Sequence, residues 1–166
     1  KDLIDRVYTV NGFAKGWAMT GWRLGYLAGK KEVIKASSTL QSQSTSNVCS
    51  FAQRGALAAL EIKDEFFNEI NNIYDERREI LFSGLKKIKG IYIEPPNGAF
   101  YAFPKLPNKK LSSVVFCKKL LQEYGLVVIP GKAFGDDQCI RISCASSKET
   151  IKNGLSRLEK AINEFY

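Results

Sequence analysis

The sequence predicts an α/β protein whose first and last parts are built in different styles. A short run of β-branched and aromatic residues, 6–10 (RVYTV), predicts one strand, and the short run 23–29 (RLGYLAG), closed by Gly29, predicts a second. A helical stripe of apolar residues, interrupted by Arg77, then extends from 64 to 89. After that helix, short strand candidates alternate with two further helices. This change in the arrangement of strands and helices predicts a domain boundary at the long helix.

The run at 6–10 is apolar on both faces, as in a strand buried within a larger sheet, and it enters a turn at Asn11-Gly12. Residues 1–60 offer too few other strands to complete such a sheet, and the chain does not begin with methionine. We therefore expect a further segment to precede it. Taken alone, this first part should expose apolar sheet and helix surface.

Helices follow these strands. Residues 31–41 predict one helix, and the hydroxyl-rich stretch 41–47 (QSQSTSN) predicts a loop. Asn47 is placed to cap a helix over 49–61. The long helix should end at Gly90, because glycine adopts the left-handed conformation that closes helices.

The last part contains four strand candidates and two helices. The strand candidates are IYIEPP (91–96), GAFYAFP (98–104), LVVIP (126–130) and CIRISCA (139–145). One helix is predicted from Ser112 to Tyr124, ending at Gly125. The other begins at the capping-box pattern of residues 146–149 (SSKE).

The amino-acid composition argues against several classes of function. The net charge is +8, but the sequence contains no arginine-rich arm and no RNA-binding aromatic pattern. No nucleic-acid partner is therefore expected. No apolar run is long enough for a membrane helix, so no membrane partner is expected either. The chain has no histidine, which removes imidazole-dependent triads and most zinc sites; no metal site is expected.

The four cysteines form no CxxC pair and show no metal-ligand spacing. Cys117 and Cys144 lie in apolar stretches and are predicted to be core residues. Unpaired core cysteines favour a reducing compartment, so we expect a cytoplasmic protein. An organellar targeting segment upstream is the alternative.

Lys15 and Arg23 are the two charges in an otherwise uncharged run, NGFAKGWAMTGWRLGY (11–26). Among apolar neighbours the lysine ammonium is disfavoured by desolvation, which makes the amine a usable nucleophile or base. An arginine reached by a returning chain can present its planar fork to a phosphate. A Schiff base and a phosphate clamp together suit pyridoxal 5'-phosphate. By residue type alone, two solvated charges on a turn remain the alternative.

The whole string around these residues resembles the pyridoxal-phosphate attachment motif of class I and II aminotransferases. Its matching positions are Gly12, Ala14, Lys15, Arg23, Leu24 and Gly25. The segment AMTGWRLGY (18–26) is similar to the bacterial-type aspartate aminotransferases. Further similar segments follow in order: QSQSTSN with AQRGALAAL, PNGAFYAFP, VVIPGKAFG, and IRISCASSKETIKNGLSRL.

The resemblance implies a pyridoxal-phosphate-dependent transferase of fold type I and a homodimer acting on amino acids and 2-oxo acids. Residues 1–62 would end the large cofactor domain, 63–90 would form a connecting helix, and 91–166 a small α+β domain. Lys15 would hold the cofactor covalently and shuttle the substrate proton. Arg23 would bind the cofactor phosphate. Arg141 would bind the substrate α-carboxylate as a bidentate pair.

The resemblance also implies that other cofactor-binding residues lie upstream, so the isolated 166 residues are expected to be inactive. Aspartate aminotransferase is the first interpretation. Alanine, aromatic, kynurenine or prephenate aminotransferases, and a non-catalytic module of the same origin, are the alternatives. Phe100 and Tyr101 are either core residues or substrate-facing ones.

Overall fold

The computed structural model describes residues 3–107 and 111–166, and the chain divides into two compact units. Unit 1 is Lys1–Phe67 and unit 2 is Asn68–Tyr166, so the change of unit falls inside the long helix. The finer division at residues 62 and 90 stays a prediction. Within the described ranges, no helix is long and apolar enough to cross a membrane.

Unit 1 is built on a β-hairpin. Strand β1 (Thr9–Gly12) pairs antiparallel with β2 (Gly25–Ala28), and Gly12 lies opposite Gly25. A Cβ at Gly12 would stand 3.0 Å from the carbonyl oxygen of Leu24, so glycine lets the two strands stay paired up to their connection. The expected turn at Asn11-Gly12 is therefore the last part of the strand.

The strands of unit 1 are exposed on both faces in this chain. Val10 is 79% exposed, although its run was expected to be a buried strand. Large apolar side chains of the helices that follow, Leu40, Phe51, Leu57 and Leu60, are also exposed. The prediction that the first part exposes apolar sheet and helix surface is confirmed.

Two helices complete unit 1, and their boundaries differ from the sequence prediction. Helix α1 (Lys31–Ser44) extends four residues into the predicted loop. The Ser44 hydroxyl donates to the carbonyl oxygen of Leu40 at 3.0 Å, so it bonds to the preceding turn and remains compatible with the helix. Helix α2 (Ser50–Leu60) has Cys49 at its N-cap, with no side-chain capping bond. The prediction that Asn47 caps this helix was wrong.

Unit 2 contains most of the regular structure. Helix α3 begins in unit 1 and ends before Gly90, whose φ is +83° as the predicted helix stop requires. The elements in order are α3 (Asp64–Lys87), β3 (Tyr101–Ala102), α4 (Ser113–Tyr124), β4 (Ile129–Pro130), a 3-10 helix (Gly131–Phe134), β5 (Ile140–Ser143) and α5 (Lys148–Phe165). The three strands form one antiparallel sheet in the order β3-β5-β4.

One of the four strand candidates in this unit does not become a strand. In the stretch 91–96, Tyr92 makes only an isolated bridge with Lys105. Pro95 and Pro96 end the stretch and have no N–H groups to continue a ladder. The other three candidates each contribute a strand shorter than predicted.

The helix caps of unit 2 follow the sequence closely. Ser112 accepts a hydrogen bond from the Val115 N–H, and Gly125 closes α4 with φ +59°. At α5 the cap is Ser147, whose hydroxyl oxygen accepts from the Thr150 N–H at 3.1 Å. The capping pattern predicted at 146–149 therefore acts one residue later.

The core of unit 2 is formed by helices α3, α4 and α5 against the sheet. Its fully buried apolar side chains include Leu85, Phe116, Leu120, Ile140 and Leu158. Burying a side chain of this size contributes about 1.5–3 kcal/mol. Cys117 and Cys144 lie in the same core, as predicted.

A buried polar network fixes the loop between β4 and β5 to the start of α4. Ser113 is buried, and both its N–H and its hydroxyl donate to Oδ1 of Asp137, at 2.9 and 2.6 Å. The Lys132 N–H donates to the Ser113 hydroxyl oxygen. Gly131 and Cys139 close the same loop, because the Gly131 N–H donates to the Cys139 carbonyl oxygen at 2.8 Å. These bonds hold the residues that lead into β5.

Gly131 provides a test of this loop. A Cβ there would collide with the backbone carbonyl oxygens of Asp136 and Cys139, which cannot move without breaking the loop. We expect Gly131→Ala to lower the free energy of unfolding of the chain by about 2–3 kcal/mol. Gly98→Ala is the matched control, because nothing lies within 4 Å of its added Cβ. Chemical denaturation of both variants checks this, and equal midpoints would contradict the role of the loop.

The cysteines should differ in reactivity. Burial raises the pKa of Cys117 to about 11, and burial together with the Asp136 carboxylate raises the pKa of Cys139 to about 11. Cys144 is buried as well, whereas Cys49 is exposed. An alkylating reagent near neutral pH should therefore label Cys49 quickly and the other three only after denaturation. Peptide mass spectrometry reads out the labelled sites, and fast native labelling of Cys117 would contradict the core.

The same pKa shifts predict a pH dependence of stability. The ordinary pKa of these thiols is 9.0, and the folded values lie above it. The contribution of the two protonated thiols is therefore fully present below pH 9.0 and is lost as the pH rises through about 11. A variant with both Cys117→Ala and Cys139→Ala should show a shallower loss of stability over this window in denaturation curves, and an unchanged slope would disprove the linkage.

Candidate active site

Lys15 and Arg23 lie in the connection 13–24 between β1 and β2. Its two ends are joined by the Phe13 N–H, which donates to the Leu24 carbonyl oxygen at 3.3 Å. The Met19 N–H donates back to the Phe13 carbonyl oxygen, also at 3.3 Å. The connection is thus folded on itself, and it brings the two predicted cationic residues to the same end of the hairpin.

The aromatic neighbours of Lys15 anchor this connection on helix α2. Phe13 and Met19 are buried in the small apolar cluster of unit 1. The Trp17 indole N–H donates to the Ala59 carbonyl oxygen at 2.9 Å, and the Trp17 ring meets the Phe67 ring edge-on at 5.7 Å. The Lys15 side chain itself is exposed. The apolar surroundings expected for the lysine are therefore not formed by its neighbours in sequence, because these pack into the core instead.

Arg23 has a left-handed backbone with φ +54° and ψ +45°, directly after a 3-10 helix (Thr20–Trp22). A non-glycine residue in this conformation costs about 1–2 kcal/mol relative to the right-handed form. Its Nη1 donates to the Thr20 carbonyl oxygen at 2.8 Å. That bond fixes the guanidinium to its own turn and leaves the other N–H groups of an exposed side chain for a ligand.

Arg23 also borders an open depression of about 820 Å³ in unit 1. Thr45 and Asn47, from the loop between α1 and α2, border the same depression. Both residues belong to the hydroxyl-rich stretch 41–47 that the sequence predicted to be a loop. The structure brings it next to the predicted phosphate-binding arginine.

Arg141 belongs to unit 2, on the central strand β5. Its neighbour Ile140 is fully buried, and Arg141 is half-buried on the next position of the strand. The ring centroids of Tyr101 and Phe134 each lie 4.4 Å from its Cζ atom. No carboxylate of the described residues lies within ion-pair distance of Arg141. The anionic partner expected for this arginine is thus not supplied by the described part of the chain.

Sequence reasoning left Phe134 out of the site. The stretch that contains it, VVIPGKAFG, was noted only as a segment resembling related enzymes. Phe134 lies between Gly131 and Gly135 in the sequence, and an aromatic residue in such a glycine-bounded turn was the available indication. For Tyr101, the structure shows contact with Arg141, whereas Phe100 packs against the core of unit 2.

The fold agrees with the comparison to known proteins. The sequence profile of the family described as aminotransferase class I and II matches residues 2–158. The chain belongs to this family, which is generally dependent on pyridoxal 5'-phosphate. The predicted family and the α/β, fold type I class are confirmed.

The chain is also similar to individual aminotransferases in sequence and in structure. The chain is 39% identical to an aspartate aminotransferase of Pinus pinaster and 41% identical to a probable aspartate/prephenate aminotransferase of Aquifex aeolicus. Each alignment covers 95% of this chain, and 35% and 41% of those proteins. The crystal structure of the aspartate aminotransferase from Rhizobium meliloti superposes with a TM-score of 0.89 at 36% identity, over 99% of this chain and 44% of that one. The chain therefore spans about two fifths of the length of such relatives.

The left-handed backbone at Arg23 gives a test of the connection. Arg23→Ala and Arg23→Gly both remove the guanidinium, but only glycine adopts this conformation without steric cost. We expect Arg23→Gly to be more stable than Arg23→Ala by about 1 kcal/mol. Parallel denaturation curves of the two variants measure the difference. Equal stability would show that residue 23 does not hold the left-handed conformation in solution.

Proposed function

We propose that the complete protein bearing this chain is an aminotransferase that moves an amino group between an amino acid, aspartate first, and a 2-oxo acid. The observation that carries the proposal is the placement of Lys15 and Arg23 in one short connection of a chain that belongs to this family. A nucleophilic amine and a planar cationic fork within one folded segment are the two groups that pyridoxal 5'-phosphate requires.

The residues present fit this cofactor by the chemistry of their donors. Lys15 supplies an exposed primary amine, and Arg23 supplies N–H donors beyond the one that bonds to the Thr20 carbonyl oxygen. The open depression bordered by Arg23 has polar side chains at Thr45 and Asn47. Lys15 would hold the cofactor and Arg23 its phosphate.

When bound, the cofactor supplies an electron sink that allows a proton to leave the substrate Cα. Lys15, released from the cofactor when the substrate amine replaces it, would take that proton on Nζ as a general base and then deliver it as a general acid. Arg23 orients the phosphate end by charge-assisted hydrogen bonds. Arg141 binds the substrate carboxylate through the edge of its guanidinium and so fixes the position of Cα.

Aspartate comes first because the relatives reported above are named for aspartate or for aspartate and prephenate. Transamination of prephenate is the second candidate on the same observation. We propose a homodimer for the complete protein, as its resemblance implied, and a cytoplasmic location, which its unpaired core cysteines favour. A panel of amino donors with 2-oxoglutarate, and separately with prephenate, assayed on the complete enzyme, decides between the substrates.

The cofactor assignment is tested with Lys15→Ala in the complete protein. We expect borohydride reduction in the presence of pyridoxal 5'-phosphate to leave a covalent pyridoxyl group on Lys15 in the parent, detected by peptide mass spectrometry, and none at position 15 in the variant. Transamination should fall by at least about a thousandfold.

Lys35→Ala is the matched control, because Lys35 is an exposed lysine of unit 1 outside the hairpin connection. It should retain both the label and the activity. A reduced adduct on another lysine of the parent, with Lys15 unmodified, would refute the assignment.

A further inference from the structure

We propose that Tyr101 and Phe134 are positioning residues that hold the Arg141 guanidinium from its two sides and leave its N–H edge for a substrate carboxylate. The inference rests on the proposed function, since it assumes that Arg141 binds this carboxylate. It assigns a role to two aromatic residues that the proposed mechanism does not use.

The two rings come from opposite sides of strand β5. Tyr101 lies on β3, paired with Ser143 of β5, and β3 is one neighbour of β5 in the sheet. Phe134 ends the 3-10 helix that follows β4, and β4 is the other neighbour. Both ring centroids lie 4.4 Å from Cζ of Arg141, within the range of a cation–π contact. One ring therefore comes from each side of the central strand to the same guanidinium.

Each ring is supported by a second aromatic residue. The Tyr101 ring lies 4.4 Å from the Phe100 ring, which packs against the core of unit 2. Phe134 meets Phe103 edge-on at 6.0 Å. The start of the loop that carries Phe134 is also held by Ser113, whose hydroxyl accepts from the Lys132 N–H. Both rings are thus fixed by contacts that do not depend on a ligand.

The exposure of Phe134 argues against a role in core packing. Half of its surface remains in water in this chain, and its ring contacts are Arg141 and Phe103, which is itself exposed. A large aromatic side chain held in water over a cation contributes little apolar burial. The contact of the Phe134 ring with the Arg141 guanidinium is therefore the interaction that explains an aromatic residue at this position.

Aromatic faces attract the cation electrostatically but do not use the in-plane N–H donors of the guanidinium. No carboxylate among the described residues competes for those donors. A flexible arginine would lose rotamer freedom on binding, and an arginine already held between two rings loses less. The arrangement should therefore strengthen carboxylate binding, and its loss should appear mainly in KM.

The test is steady-state kinetics of the complete enzyme with the amino donor identified by the panel. We expect Phe134→Leu and Tyr101→Leu each to raise KM about threefold to tenfold, with kcat changed less than about twofold. Phe134→Tyr and Tyr101→Phe keep the rings and should restore KM to the parent value. Tyr92→Leu is the matched control, since Tyr92 is an exposed aromatic of unit 2 without a ring contact to Arg141. It should leave KM unchanged.

Arg141→Lys separates this inference from the proposed function. It should raise KM by about a hundredfold, because lysine cannot form the bidentate pair. In that background, Phe134→Leu should add less than about twofold, since the two residues act on one interaction. If Arg141→Lys leaves KM unchanged, the proposed role of Arg141 fails. If Arg141→Lys raises KM but the leucine variants do not, or if they lower kcat instead, the positioning role alone is wrong.

Discussion

The alternation of side chains along strand β5 is the constraint on which unit 2 depends. Ile140 is fully buried beneath the helices, and because successive side chains of a strand point to opposite faces, Arg141 is directed away from that core. The burial of one isoleucine therefore fixes the register of the central strand and the direction of the arginine together. A shift of the β5 register by one residue would place the Arg141 guanidinium in the core that contains Leu85 and Leu158. Burying an unpaired charge there would strongly destabilise the fold.

Unit 1 holds its cationic residues in place with a smaller apolar core than that of unit 2. Its cationic residues lie in a connection that is held by a few backbone bonds and by the aromatic side chains that pack on α2. The left-handed backbone at Arg23 is strained, and it persists because the paired strands on either side fix the ends of the connection. The same segment thus combines a rigid frame with side chains left in water for a ligand.

Most of the fold was predictable from local patterns, because the deciding interactions are local. The stops at Gly90 and Gly125 need only neighbouring residues, and both were predicted. Ser112, predicted as the first residue of α4, is its N-cap. The errors came where a local pattern had two outcomes. Ser42 and Ser44 suit a loop or, with the hydroxyl bonded to a carbonyl oxygen of the preceding turn, a helix. The stretch 91–96 has strand composition but two prolines that prevent a ladder.

For the candidate site, the family resemblance carried by the sequence motifs gave the family and the fold class, which are confirmed. It also implied Lys15, Arg23 and Arg141 as site residues, and these stay predictions. The tertiary structure decided what surrounds them. Tyr101 and Phe134 are 33 positions apart in the chain, and only the sheet order β3-β5-β4 brings both rings to Arg141. The neighbours of Lys15 looked like an apolar environment for the amine, but packing turns them into the core of unit 1. Contacts between distant segments depend on which faces become buried, and that choice is made by the whole fold.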